Sequence, residues 1–121
     1  MDDMKKLLII DDDKDLLKVL NALLVNKGYE IKTLSDGAKA TAVVPDFRPD
    51  LIVLDVHLVN IDGRDICYQL KHNTDTKDIP ILMISADTDI KEIINKCPAN
   101  DFIGKPLNLA SLYDKIESMT S

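Results

Sequence analysis

The chain has 121 residues, 45% hydrophobic and 30% charged, with a formal net charge of −6. That is the size of one compact domain (residues 1–121), with apolar material enough for a core and no low-complexity stretch, which excludes a disordered chain. The acidic balance argues against direct contact with nucleic acid, which needs clustered Lys and Arg. No apolar run approaches the ~18 residues of a membrane span, so a cytoplasmic protein is expected.

In chain order, short apolar runs alternate with helical patterns. Lys6–Ile10 reads as a buried strand. A helix follows, with Leu16, Leu17, Leu20, Leu23 and Leu24 on one face, Asp13 as its N-cap and Gly28 just past its end. Tyr29–Leu34 is a second strand, and a short helix from about Asp36 to Val44 ends at Pro45. Leu51–Asp55 is a third strand, apolar without alternation, as a strand covered on both faces should be. A turn through Asn60-Ile61-Asp62-Gly63 leads into a helix carrying Ile66, Cys67 and Leu70. Ile81–Ser85 is a fourth strand, announced by Pro80. A short helix, Thr88 to Cys97, presents Ile90, Ile93, Ile94 and Cys97 at i, i+3, i+4, i+7. Asp101–Gly104 is a fifth strand, and Leu109, Leu112, Ile116 and Met119 mark a last helix capped by Asn108. Five strand–helix units in a row imply a parallel sheet with helices on both faces. The cysteines, Cys67 and Cys97, are far apart in sequence, in no CxxC pattern and at apolar positions. They read as buried, reduced thiols, not a disulfide or a zinc site.

Ligands of such sheets sit beyond the carboxyl ends of the strands. Strand 1 ends in Asp11-Asp12-Asp13, strand 3 in Asp55 and strand 4 in Ser85-Ala86, while strand 5 leads into Lys105-Pro106. With strand 2 at the sheet edge, these four ends surround one pocket holding several carboxylates, a hydroxyl and an amine. Crowded carboxylates either rise in pKa or are neutralised by a cation. An oxygen-lined site with few protein ligands favours Mg²⁺. A carboxylate beside that ion can attack phosphorus, with Lys105 and Ser85 offsetting the charge of a transferring phosphoryl group. Taken singly, each residue has an ordinary reading: Asp13 as a helix cap, Lys105 as a surface lysine, Ser85 and Phe102 as packing, His72 as a solvated helix end. Asp55 is the strongest single signal, because an ionisable residue ending an apolar strand needs a partner.

Together the motifs Ile10-Asp11-Asp12-Asp13, Leu54-Asp55, Asp62-Gly63, Ile84-Ser85-Ala86 and Lys105-Pro106 resemble the receiver domain of two-component response regulators, over essentially the whole chain. The resemblance implies a flavodoxin-like five-stranded parallel sheet of order 2-1-3-4-5 with five helices. It makes Asp55 the phosphoacceptor and Asp12 a direct Mg²⁺ ligand, with Asp11 acting through water and the His57 backbone carbonyl as third protein ligand. Lys105 would pair with the phosphoryl group and precede a cis proline. Ser85 and Phe102 would be the switch residues that move after phosphorylation. The side chains of His57 and Asp87 would sit at the pocket mouth and tune the phosphoryl lifetime. Implied partners are a sensor histidine kinase or histidine phosphotransfer protein and a downstream protein.

Three features depart from the family pattern. Val59 stands where proline is usual, Pro98-Ala99 replaces a common Gly-Ala pair, and the stretch from Ser85 to Phe102 is about two residues short. These bear on how a signal is read out, not on the chemistry at Asp55. Two other functions compete. A phosphatase of the haloacid dehalogenase type would use the Asp-x-Asp of Asp11 to Asp13, but its follow-on residues and cap domain are missing and Asp55 would have no role. A receiver-like scaffold without chemistry conflicts with the intact Asp12, Asp55, Ser85 and Lys105. The chain cannot itself be the kinase, since Gly104-Lys105 lacks the rest of a phosphate-binding loop.

Overall fold

A computed structural model describes residues 4–86, 95 and 97–121. Among the described residues there are five strands: β1 (Lys6–Ile10), β2 (Glu30–Leu34), β3 (Leu51–Asp55), β4 (Ile81–Ser85) and β5 (Asp101–Gly104). The α-helices among the described residues are α1 (Lys14–Asn26), α2 (Ala40–Phe47, entered through a 3-10 turn at Gly37–Lys39), α3 (Gly63–Lys71) and α4 (Leu109–Thr120). The strands pair in parallel in the order β2-β1-β3-β4-β5, the flavodoxin-like order expected. Of the five helices expected, the one over Thr88 to Cys97 lies outside the described residues except at 95 and 97, and so does Asp87, expected at the pocket mouth.

Local signals set the helix ends. The Asp13 carboxylate accepts from the Asp15 and Leu16 amides, satisfying two of the N–H groups that a helix start leaves without partners. At the far end of α1 the Gly28 amide donates to the Val25 carbonyl and the Tyr29 amide to that of Leu24. This double closure needs the left-handed φ of +98° that Gly28 adopts. Asn108 caps α4 by accepting from the Ser111 amide. At α2 the expectation needs correction: the helix runs through Pro45 to Phe47. Proline removes one N–H, but Arg48 closes the helix in the left-handed region and donates back to the Val44 carbonyl. The turn therefore survives the missing bond.

Strand alternation splits the core into two layers. Leu8, Ile10, Ile52, Leu54, Ile81 and Met83 face α2 and α3 and pack on Val44, Ile66 and Leu70. Leu7, Ile9, Leu51, Val53, Leu82 and Ile84 face α1 and α4 and pack on Leu17, Leu20, Leu24, Leu112 and Ile116. Both faces of β1, β3 and β4 are thus covered, which is why those strands carry apolar runs. Burying each such side chain stabilises the fold by roughly 1.5–3 kcal/mol.

The cysteines overturn the sequence reading. Cys67 on α3 and Cys97, in the irregular stretch just before β5, form a disulfide with Cα atoms 5.8 Å apart. Thirty residues separate them in sequence, but both project into the layer between the sheet and α3. Sequence distance concealed that meeting. Among the described residues, no helix is long and apolar enough to cross a membrane.

Candidate functional site

The carboxyl ends of β1, β3, β4 and β5 converge as the strand order requires. β1 delivers Asp11, almost fully buried, and half-buried Asp12; β3 delivers Asp55, also buried. One carboxylate oxygen from each of Asp11, Asp12 and Asp55 lies within 4.8 Å of the others. Lys105, carried past β5, places its ammonium 3.0 Å from Asp55 Oδ2 and 3.3 Å from Asp11 Oδ2. Its backbone is fixed by the Lys105 amide donating to the Ser85 carbonyl. The Lys105–Pro106 peptide is cis, as the resemblance implies. Ser85 is buried at the end of β4, and Phe102 is half-buried on β5 against the α3-side layer.

The Asp55 carboxylate is held at both oxygens. Asp55 Oδ1 accepts from the His57 backbone amide at 3.1 Å, and Oδ2 from Lys105. His57 thus meets Asp55 through its main chain, while the residue as a whole is exposed. Asp11 accepts from the Asp13 amide at 2.9 Å. A cleft of about 430 Å³ opens beside Asp12, lined also by Val56, His57, Asn60 and Asp62 among others. Val59 in the same loop is strongly exposed.

Electrostatics matches the geometry. Burial raises the Asp11 carboxyl above its ordinary value. The Asp13 amide opposes that shift, the Asp55 charge adds to it, and Lys105 opposes it. Burial pulls the Lys105 ammonium down, but the hydrogen bond and charge of Asp55, helped by Asp11, outweigh it and leave the pKa raised. One cation against three crowded carboxylates leaves negative charge uncompensated, the condition under which a hard cation is favoured. All three acceptors are carboxylate oxygens, one opening onto the cleft, which suits Mg²⁺ with part of its water shell retained.

The site also contains a residue whose role the sequence reading missed. Gly63, the first residue of α3, donates its amide to the Val56 carbonyl at 2.9 Å. A Cβ there would collide with the Asp55 carbonyl oxygen. Glycine is what lets α3 start directly against the end of β3. The Asp62-Gly63 turn signal was visible; the contact behind it was not. Asp62 caps α3 through the Arg64 amide and pairs with the Arg64 guanidinium at 2.7 Å.

Comparison with known proteins gives one consistent answer. The profile of the response regulator receiver domain family matches residues 7–117. The chain is 32% identical over 118 residues to the DNA-binding dual master transcriptional regulator RpaA of Synechocystis sp., covering 96% of this chain and 49% of that protein. It spans about half the length of the curated relatives it matches. Among solved structures, it resembles the chemotaxis response regulator CheY4 of Vibrio cholerae, with TM-score 0.88, 27% identity, and 97% and 99% of the two chains covered. It is also similar to the response regulator TrrA of Thermotoga maritima in complex with Mg²⁺-BeF, with TM-score 0.85, 25% identity, and 96% and 99% covered.

Proposed function

The chain belongs to the response regulator receiver domain family, and from that premise we propose that it takes a phosphoryl group onto Asp55 from a phosphohistidine donor, with Mg²⁺ bound beside it. The observation that carries the reading is Lys105 bridging Asp55 and Asp11 at 3.0 and 3.3 Å inside a cluster of three carboxylates. An ordinary surface lysine has no such seat.

Each residue then has a task. Asp55 Oδ attacks phosphorus in line, the P–N bond to the donor imidazole breaks, and its electron pair stays on that nitrogen. The His57 amide and Lys105 fix the carboxylate so that little reorganisation is left for the transfer. Lys105 then turns from the carboxylates to a phosphoryl oxygen, and the Ser85 hydroxyl hydrogen-bonds another, balancing charge that develops in transfer. Asp11, Asp12, Asp55 and the His57 backbone carbonyl would hold Mg²⁺, which supplies positive charge to the phosphoryl oxygens when bound. The Mg²⁺-BeF complex of the Thermotoga relative supports that assignment. Phe102, paired with Met83 in the β4–β5 ladder, would respond when Ser85 moves, changing contacts with a downstream protein. The donor would be a sensor histidine kinase or a histidine phosphotransfer protein in the cytoplasm. Hydrolysis of the acyl phosphate by in-line water would reset the site.

Incubation with Mg²⁺ and acetyl phosphate should add one phosphate to the intact mass. EDTA or Asp55→Asn should abolish the adduct. An equal adduct on Asp55→Asn, or none on the wild type, would overturn the assignment.

A further inference from the structure

Cys67 and Cys97 have no part in the chemistry at Asp55, yet they are joined across the layer that also receives Phe102. Their Cα separation of 5.8 Å lies inside the window that a disulfide requires, about 4.4–6.8 Å. They are the chain's only cysteines, so intramolecular oxidation has a single product. Both are fully buried, which seals the sulfurs from reagents until the chain opens locally.

The two backbones differ in how firmly they are held. Cys67 lies in the middle of α3, but Cys97 lies in the irregular stretch 97–99. Beyond that stretch Asn100 is pinned to β4: its amide donates to the Ile81 carbonyl and its side-chain oxygen accepts from the Ile81 amide, both at 2.9 Å. Local opening that exposes a sulfur therefore begins at Cys97 and stops at Asn100, leaving the sheet intact.

We propose that Cys67 and Cys97 form a redox-modification site, a dithiol that exchanges with small disulfides of the glutathione class and whose cross-link pins the lead-in to β5 against α3. In the oxidising direction the Cys97 thiolate attacks one sulfur of oxidised glutathione and expels one glutathione thiolate. Cys67 then attacks Cys97 in the mixed disulfide and expels the second. The two protein thiol protons end on the two glutathione molecules, and the two protein sulfurs are oxidised as the glutathione disulfide is reduced. Reduction runs the same exchange backwards. The consequence for signalling rests on the phosphoryl-acceptor reading: with the cross-link closed, the chain five residues before Phe102 is tied to α3, so Phe102 has less freedom to respond to Asp55.

The test uses the whole chain under native conditions. After incubation with oxidised glutathione or with dithiothreitol, the protein is acid-quenched, denatured and alkylated with N-ethylmaleimide, and its intact mass is read. No adduct after oxidised glutathione, two after dithiothreitol, and interconversion of the two forms are expected. Two free thiols after oxidised glutathione, or a cross-link that native dithiothreitol leaves closed, would overturn the site. Hydrogen exchange of the peptide containing Phe102, measured with and without acetyl phosphate and Mg²⁺, then tests the tether. The phosphorylation-dependent change should be at least threefold larger in the reduced chain. Equal changes would overturn the tether. A missing phosphate adduct would sink the phosphoryl reading and leave the thiol count to decide the redox site.

Discussion

At Asp11 the folded chain holds a carboxylate that its surroundings would sooner see neutral. Burial is the main cause, and the Asp55 charge adds to it. A carboxyl raised above its unfolded value costs stability as pH climbs from the ordinary value of 3.8 to the folded pKa; the penalty is complete above that window and absent below it. Asp11→Asn should therefore raise the melting temperature at neutral pH in EDTA, and millimolar Mg²⁺ should stabilise the wild type but not the variant. A variant less stable than wild type in EDTA would contradict this account of the crowding. Gly63 behaves oppositely. Because a Cβ would strike the backbone oxygen of Asp55, not a flexible side chain, Gly63→Ala should cost about 3 kcal/mol in urea unfolding. A cost below about 0.5 kcal/mol would show that α3 shifts freely. The two residues differ in legibility. Asp55 was readable because charge at the end of an apolar strand demands a partner, and Asp11 only together with the residues at the other strand ends. The need for Gly63 arises only from where α3 sits against β3, a tertiary contact that no local pattern records.

Element boundaries followed local chemistry wherever the chemistry was local. The caps at Asp13 and Asn108 and the glycine closure at Gly28 are side-chain and dihedral effects within a few residues. Pro45 misled because a proline penalises one bond, and the packing of Val44 against the sheet carries the helix past it. Cys67 and Cys97 misled more deeply, since their meeting depends on α3 and the lead-in to β5 sharing one layer. With a sequence separation of 30, loss of the cross-link should lower the unfolding free energy by about 2–4 kcal/mol, chiefly by freeing the unfolded chain. Urea unfolding with and without dithiothreitol reads this, and identical midpoints would contradict it. Between β5 and α4, Lys115 pairs with Asp101 at 2.8 Å. Burial pushes the Asp101 carboxyl up, but the Lys115 hydrogen bond, the Phe102 amide and the Lys115 charge outweigh it and hold it below 3.8. A depressed carboxyl adds stability above its unfolded pKa and loses it as pH falls through the folded one. The stability gap between wild type and Lys115→Ala should therefore be constant near neutrality and close below roughly pH 4. Both groups are partly exposed, so the gap is small. A gap that widens in acid would contradict the assignment.

The whole molecule places its chemistry at one end of a sheet covered on both faces. That arrangement was legible because apolar runs without alternation mean two covered faces, and five strand–helix units restrict the order of the strands. The order then brings Asp11, Asp55 and Lys105 together from positions up to 94 residues apart. The stability of that end depends on the layers beneath it: Leu54, fully buried next to Asp55, should cost about 2–5 kcal/mol as Leu54→Ala. After reaction with acetyl phosphate and Mg²⁺, borohydride reduction converts an aspartyl phosphate to homoserine, which peptide mass mapping can locate. One homoserine is expected, at position 55, and none when Mg²⁺ is chelated. Homoserine at position 11 or 12, or reduction at no aspartate while the phosphate adduct is present, would contradict Asp55 as the phosphoacceptor.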